Sequence, residues 1–333
     1  CLIIVLLINL ITTPTFFMIT INNAVLYGYI IDVINRASEL VVLAVGMTLV
    51  VSASAGTDIS VGAVMAVAAA VCTRVLAGGE VSVNEYANPY VLAVLAALAA
   101  AVVCGGFNGF LVAKLKIQPM VATLILFTAG RGISQLVTNG QITYIRVDGY
   151  KLLGNNIPGI PIPTPIFVAV IVVVLTYILL KKTAMGMYIQ SVGINERASR
   201  LVGLKSVKII WMAYAFCGLC AGIAGLVASS RIYSADANNI GLNMELDAIA
   251  AVALGGNSLG GGRFSLLGSV IGAYTIQALT TTLYAMSVPA DQIPVYKAIV
   301  VILIVAVQSE ELKKFRKRLA SRHSSKNVEG GVA

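Results

Sequence analysis

Long apolar runs recur from one end of this sequence to the other, and they constrain it more than any other feature. Segments near 1–21, 36–54, 60–77, 90–113, 118–138, 164–180, 208–231, 245–256, 264–287 and 294–309 are dominated by Leu, Ile, Val, Ala and Gly. A helix needs about 17–25 apolar residues to cross a bilayer core, where every backbone polar group must be paired internally. Ten such segments predict an all-α polytopic membrane protein with broken or short helices, the eighth segment being a half-helix or re-entrant piece. Composition agrees, with 11% charged residues against about a quarter in a soluble domain. The opening "CLIIVLLINLITTPTFF" lacks a basic n-region and a small-residue cleavage site. It reads as a first span rather than a signal peptide, in a chain whose N-terminus is expected upstream.

The net charge of +9 does not point to nucleic acid, because no soluble basic domain is present to bind it. Its distribution points to membrane orientation instead. Lys114 and Lys116, then Lys181, Lys182, Arg197, Arg200, Lys205 and Lys208, then Arg263, and finally a basic tail from Lys313 to Lys326 hold sixteen of the 23 Lys and Arg. Ten spans place all four groups, and both chain ends, on one side. That side is expected to be cytoplasmic. Residues 1–309 then form the transmembrane domain, with a cytoplasmic segment 181–207 inside it, and 310–333 form a basic cytoplasmic tail. The opposite side receives Glu80, Glu85, Asp148, Asp236 and Asp291, and two polar segments, 139–163 and 234–246. Loops of that length are often functional, and a docking surface and a bland connector are both open readings.

Within the spans, Gly105 with Gly109, Gly218 with Gly222, and Gly268 with Gly272 are GxxxG pairs that let helix backbones approach closely. Cys217 and Cys220 form a CxxC inside "AYAFCGLCAGIAG", an apolar helix where they read as small packing residues. The lone His323 rules out a multi-histidine metal site. No Ser/His/Asp, Cys/His or paired-carboxylate set is present, so the chain reads as a transport subunit rather than an enzyme. "GGNSLGGGRFS" spaces Gly256 and Gly261 like a phosphate loop, but Gly262 and Arg263 stand where Lys and Ser/Thr are required. It reads as a turn, and any ATP must be bound by another subunit.

Two Gly-rich breaks, "SASAGTDIS" and "GGNSLGGGR", are each followed by Ser and Gly at the start of the next span (Ser60 and Gly62; Ser265 and Gly268). This echo suggests an internal repeat, as in many transporters. Asp58 sits at the first break, expected at the membrane interface. It is open to two readings, an N-cap of the third span or a functional intramembrane charge. Thr57, Ser60, Asn108, Gln135, Asn257 and Gln277 are uncharged polar groups in or at the ends of spans. They line a path for hydroxyl-rich cargo or hydrogen bond between helices.

"VGINERASRLVGLK" is a compact charged island. Asn195 suits an N-cap, Glu196 the positive helix end and Gly203 the C′ position. Ala198, Leu201 and Val202 form an apolar stripe expected to rest on the membrane domain, leaving Arg197 and Arg200 to face a partner. About eight residues are too few for a free helix.

"TAMGMYIQSVGINERASRLVGL" resembles the cytoplasmic coupling segment of bacterial carbohydrate-uptake ABC transporter permeases, the ribose, xylose and galactofuranose group. "GTDISVGAVMAV", "KLKIQPMVATLILFTAGRGISQLVTNGQ" and "ADANNIGLNMELDAIAAVALGGNSLGGGRFSLLGSVIGA" are similar to that family's other signatures. The likeness spans about residues 31–309, and the galactofuranose type is nearest, with the ribose type behind it. Ala55 and Thr57 depart from the usual "GGIDLSVG". The resemblance implies an ABC importer permease fold in the bacterial inner membrane and import of a monosaccharide. It also implies a cytoplasmic ATPase subunit holding ATP and Mg, a second permease, identical or not, and an extracytoplasmic sugar-binding protein. No cofactor is expected on this chain itself. ATPase coupling would map onto Gly193, Asn195, Glu196, Ala198 and Gly203. An ion-gradient-driven secondary transporter and a branched-chain amino-acid ABC permease are the alternatives.

Overall fold

In a computed structural model, the described residues are 2–12, 14–22 and 25–308. The tail 310–333 lies outside them. Twelve α-helices are described: α1 Leu2–Thr12, α2 Tyr29–Ser54, α3 Val61–Ala77, α4 Tyr90–Ala113, α5 Pro119–Val137, α6 Thr164–Lys182, α7 Met185–Ile194, α8 Glu196–Leu201, α9 Ser206–Ile232, α10 Met244–Leu254, α11 Leu266–Ala285 and α12 Ile293–Gln308. Six of these (α2, α4, α5, α6, α9 and α11) are long and apolar enough to cross a membrane.

The first expected span is corrected. The helix stops at Thr12, a 3-10 turn follows at Pro14–Phe17, and a hairpin pairs β1 Thr20–Asn22 with β2 Val25–Tyr27. Proline clashes with the carbonyl four residues back and lacks an N–H, so the helix cannot run through Pro14. Eleven residues rise only about 16 Å, half a bilayer core.

α2 is the axis of the molecule. Leu40 to Ala53 is buried without interruption, as expected of a helix apolar on all sides, and α6, α7, α9, α10 and α11 pack around it. Small residues set the close crossings. A Cβ on Gly105 of α4 would come within 2.9 Å of the Gly218 Cα on α9, and Gly109 lies under Trp211. Gly268 and Gly272 of α11 meet Gly255 and Ala251 at the α10 crossing. The Cys217–Cys220 pair is free and buried, and it packs on Gly46 of α2, where an added Cβ would sit 3.0 Å from Cys220 Cβ. The packing reading of the CxxC holds.

The two ends of the molecule sort the loops as the charge pattern grouped them. At one end, Lys116 reaches Glu196, Gly56 abuts Pro119, and the Gly261–Gly262 turn lies on Gly193 and Ala55. At the other, β3 Ser82–Val83 pairs in parallel with β4 Thr143–Ile145, which pairs antiparallel with β5 Ser234–Ala235. The 139–163 segment is not a loose connector. Tyr150 Oη and Ser229 Oγ lie 2.7 Å apart, and Gly154 N–H donates to Ser230 Oγ at 2.8 Å.

Candidate functional site

The charged island is α8, six residues long and bent away from α7 at Asn195, whose backbone is extended (φ −156°, ψ 99°). Asn195 Oδ1 accepts the Ala198 N–H at 3.0 Å, the N-cap bond expected of it. At the far end Gly203 takes φ +85°. Its N–H donates to Arg200 O at 3.0 Å, and the Leu204 N–H donates to Ser199 O at 3.0 Å. That pair of bonds is a Schellman closure.

The face presented by α8 is the reverse of the expected one. Its buried residue is Ser199, whereas Leu201 is 89% and Val202 77% exposed. Glu196 anchors the helix by polar contacts. It accepts from Lys116 Nζ at 2.5 Å and from Arg200 Nη2 at 2.6 Å, and Arg200 Nε donates to Ser206 Oγ at 2.7 Å. Partial burial raises the Glu196 carboxyl, but the hydrogen bonds and charges of Lys116 and Arg200 outweigh it and hold the group below its ordinary value. Arg197 remains exposed. The apolar stripe of Ala198, Leu201 and Val202 therefore faces outward, because the short helix is tied down by its charges.

Gly193, the last glycine of α7, joins this surface to the core. A Cβ there would overlap the Ser52 carbonyl and stand 2.7 Å from Gly262 N. Gly262 N–H itself donates to Ser52 O at 3.0 Å. The end of α2, the α10–α11 turn and the α7–α8 segment thus meet backbone to backbone.

Asp58 is deeper than an interfacial break. Its N–H lies 3.5 Å from Met47 Sδ, and Met47 is seven residues back from the end of α2, about 10 Å at helical rise. The chain turns at Ala55 (φ +52°) and climbs back along α2 before α3 begins. Asp58 Oδ1 accepts from Ser60 N at 2.9 Å, Ser60 Oγ at 2.6 Å and Asn108 Nδ2 at 3.4 Å, and Asn108 also donates to Ser60 Oγ at 2.8 Å. All three residues are buried, as is Thr57. The N-cap reading is corrected: Ser60 is the N-cap of α3, with no side-chain capping bond, and the Asp58 carboxylate instead closes a turn on Ser60 and ties it to Asn108 of α4.

α3 and α10 begin side by side. A Cβ on Gly62 would overlap the Gly241 carbonyl, and one on Gly241 (φ +69°) would stand 3.0 Å from the Gly62 Cα. The 234–246 segment, expected as an outside surface, partly dives inward to reach this point, with Ala237, Ile240 and Gly241 buried. Arg131 of α5 fastens it, donating from Nη1 to Ala237 O at 2.9 Å and Ile240 O at 2.5 Å. Glu245, in the first turn of α10, is 4% exposed.

The other named amides lie apart. Asn257 donates to Val252 O at 2.9 Å and Ser269 Oγ at 2.8 Å and accepts from Ser265 N at 2.5 Å, while Ser269 Oγ lies 2.6 Å from Thr48 Oγ1. It fixes the α10–α11 turn on α2. Gln135 is exposed at the opposite end and donates to Asn238 Oδ1 at 2.6 Å. Gln277 lies on α11, half-buried. Of the seven polar path candidates, only Thr57, Asp58, Ser60 and Asn108 come together. Charges that the residue reading passed over are Glu39, Arg131, Arg231 and Glu245, and each falls inside an apolar run, which was the available signal.

Residues 29–308 match the family described as "Branched-chain amino acid transport system / permease component". The chain belongs to this permease family. It is 44% identical to the galactofuranose transporter permease YtfT of Escherichia coli K12, over 96% of this chain and 91% of the relative. It is 38% identical to the fructose import permease FruF of Bifidobacterium longum, over 94% and 86%, and 35% identical to the ribose import permease RbsC of Escherichia coli K12, over 90% and 88%. No solved structure matches the chain. A multi-pass membrane permease accounts for the six long apolar helices.

Proposed function

We propose that this chain is the membrane-spanning subunit of a binding-protein-dependent ABC importer that carries a monosaccharide across the bacterial inner membrane. The full-length likeness to galactofuranose, fructose and ribose permeases favours a sugar over the amino acid of the family's description, and an ABC importer over an ion-gradient transporter. ATP and Mg belong to a separate cytoplasmic ATPase, and a second permease completes the pathway. The α8 end faces the cytoplasm, and the β3–β4–β5 end receives the loaded binding protein.

The observation that carries the mechanism is Gly193 in contact with Ser52 and Gly262. Leu201 and Val202 project from a helix capped at both ends, and burying each in an ATPase cleft supplies about 1.5–3 kcal/mol. A push on α8 is passed through Gly193 to the end of α2 and to the α10–α11 turn. Those two elements carry α3 and the short helix α10, which meet at Gly62 and Gly241. ATP-driven closure of the ATPase would thereby shift α3 and α10 relative to each other. The test is reconstitution with and without the ATPase. The purified chain should not hydrolyse ATP, whereas the complex should import sugar in a vanadate-sensitive manner. ATP hydrolysis by the chain alone, or uptake that needs only an ion gradient, would overturn the reading.

A further inference from the structure

At the end of the molecule opposite α8, a cavity of about 380 Å³ opens between α2, the end of α9, the 236–244 segment and α11. Its volume falls within the about 300–1,000 Å³ of small-molecule sites. Two helix faces line it. Arg36 and Glu39 stand three apart on α2, and Gln277, Thr280 and Tyr284 recur at i, i+3 and i+7 on α11, a single helical stripe. Arg231 enters from α9, and Ile240 and Gly241 form an apolar inner wall. Gly241 is the residue that touches Gly62, so the cavity ends where α3 and α10 meet.

The electrostatics restrict what fits. Arg36 and Arg231 are balanced by Glu39 and Asp236, so the cavity calls for no net charge in its occupant. The charged groups are largely committed to the protein. Arg231 Nη2 lies 3.1 Å from Glu39 Oε1 and 3.2 Å from Asn35 O, and Asp236 accepts from the N–H groups of Asn238 at 2.9 Å and Asn239 at 3.3 Å. Glu39 Oε1 is met by the Arg231 guanidinium and lies, like Arg231 Nε, behind the cavity wall. The uncharged polar side chains that α11 turns to the cavity are the Gln277 amide and the hydroxyls of Thr280 and Tyr284, which pair as donors and acceptors with the hydroxyls of an occupant. Both carboxylates are engaged, Glu39 by Arg231 and Asp236 by Asn238 and Asn239, so the ammonium of a zwitterion would compete with those bonds, whereas a polyol leaves them intact.

We infer that this cavity is an entry site for a neutral, hydroxyl-rich monosaccharide, held between the Glu39–Arg231 pair and the Gln277–Thr280 face before it passes the Gly62–Gly241 contact. The inference rests on the sugar-import reading and adds a location to it. The experiment uses the complete transporter in proteoliposomes with its ATPase and binding protein, and measures initial uptake of radiolabelled D-galactose, D-ribose and D-fructose. Co-purification of the ATPase checks assembly. Thr280→Trp, which fills the cavity, should cut uptake of the transported sugar at least about tenfold, and Gln277→Leu should raise KM for import more than it lowers the maximal rate. Thr280→Ser, which keeps the hydroxyl, should retain more transport than Thr280→Val, which loses it. If the unaltered transporter moves none of the sugars but takes up leucine, the sugar reading itself falls. If it moves a sugar and assembled Thr280→Trp and Gln277→Leu transport normally, the entry site falls alone. Should Thr280→Trp fail to assemble, equal rates for Thr280→Ser and Thr280→Val overturn the proposal.

Discussion

A side chain at position 193 has nowhere to go. The methyl of Gly193→Ala would overlap the Ser52 carbonyl and crowd Gly262 N, and overpacking of this kind costs about 1–3 kcal/mol. Relief requires α7 to move off the end of α2. The variant should insert and bind the ATPase, since the exposed face of α8 is untouched, but transport should fall at least about tenfold while ATP hydrolysis continues. The ratio of sugar moved to ATP hydrolysed checks this, and an unchanged ratio would remove Gly193 from the coupling route. Asp58 behaves differently. Asn keeps an acceptor oxygen for the Ser60 N–H and Ser60 hydroxyl, so Asp58→Asn should retain most transport if the group only organises the start of α3. Loss of transport with normal insertion would assign the carboxylate a part in gating.

The orientation of α8 shows where sequence reading reaches its limit at the level of elements. Its caps were legible because they are local, since Asn195 and Gly203 each act on backbone within four residues. The direction of its apolar stripe was not. That direction is set by Lys116, which is remote in the chain and draws Glu196 inward. A stripe of three small-to-medium apolar residues was outweighed by one partly buried carboxylate with two cationic partners. The GxxxG crossings of α4 with α9 and α10 with α11 were legible for the opposite reason, as close approach needs small residues whatever the partner. The depth of Asp58 was hidden because the rising 55–60 segment has no apolar period to read. Leu201→Asp with Val202→Asp leaves the caps and the Glu196 anchors in place, and should reduce ATPase capture by at least about tenfold at equal membrane abundance. Charge reversal of Arg197 alone should matter less. Equal capture by the Asp pair would show that the ATPase reads some other surface. Glu196 also sets a pH window. Its carboxyl is held below the ordinary value, so its contribution is present above the unfolded value of about 4.5 and is lost as pH falls through the lower folded value.

For the whole molecule, the sorting of basic loops to one end and the three-stranded sheet to the other predicts two labelling patterns. A cysteine at Asn239 should react with an impermeant reagent added outside intact cells, and one at Arg197 only after the inner face is opened; both positions are exposed. The reverse pattern would invert the chain in the membrane. The contact between Gly62 and Gly241 has a bearing on biogenesis. α3 emerges from the ribosome long before the segment that abuts it, and its entry strand carries a carboxylate into the bilayer. Until residues 236–243 are synthesised, that segment has Met47, Asn108, Pro119 and Thr123 for shelter but not the Gly241 turn. The α2–α3 break must therefore be held by the insertion machinery, or by α4 and α5, through most of translation, and chains that stop before α10 should be those the cell's membrane quality control removes.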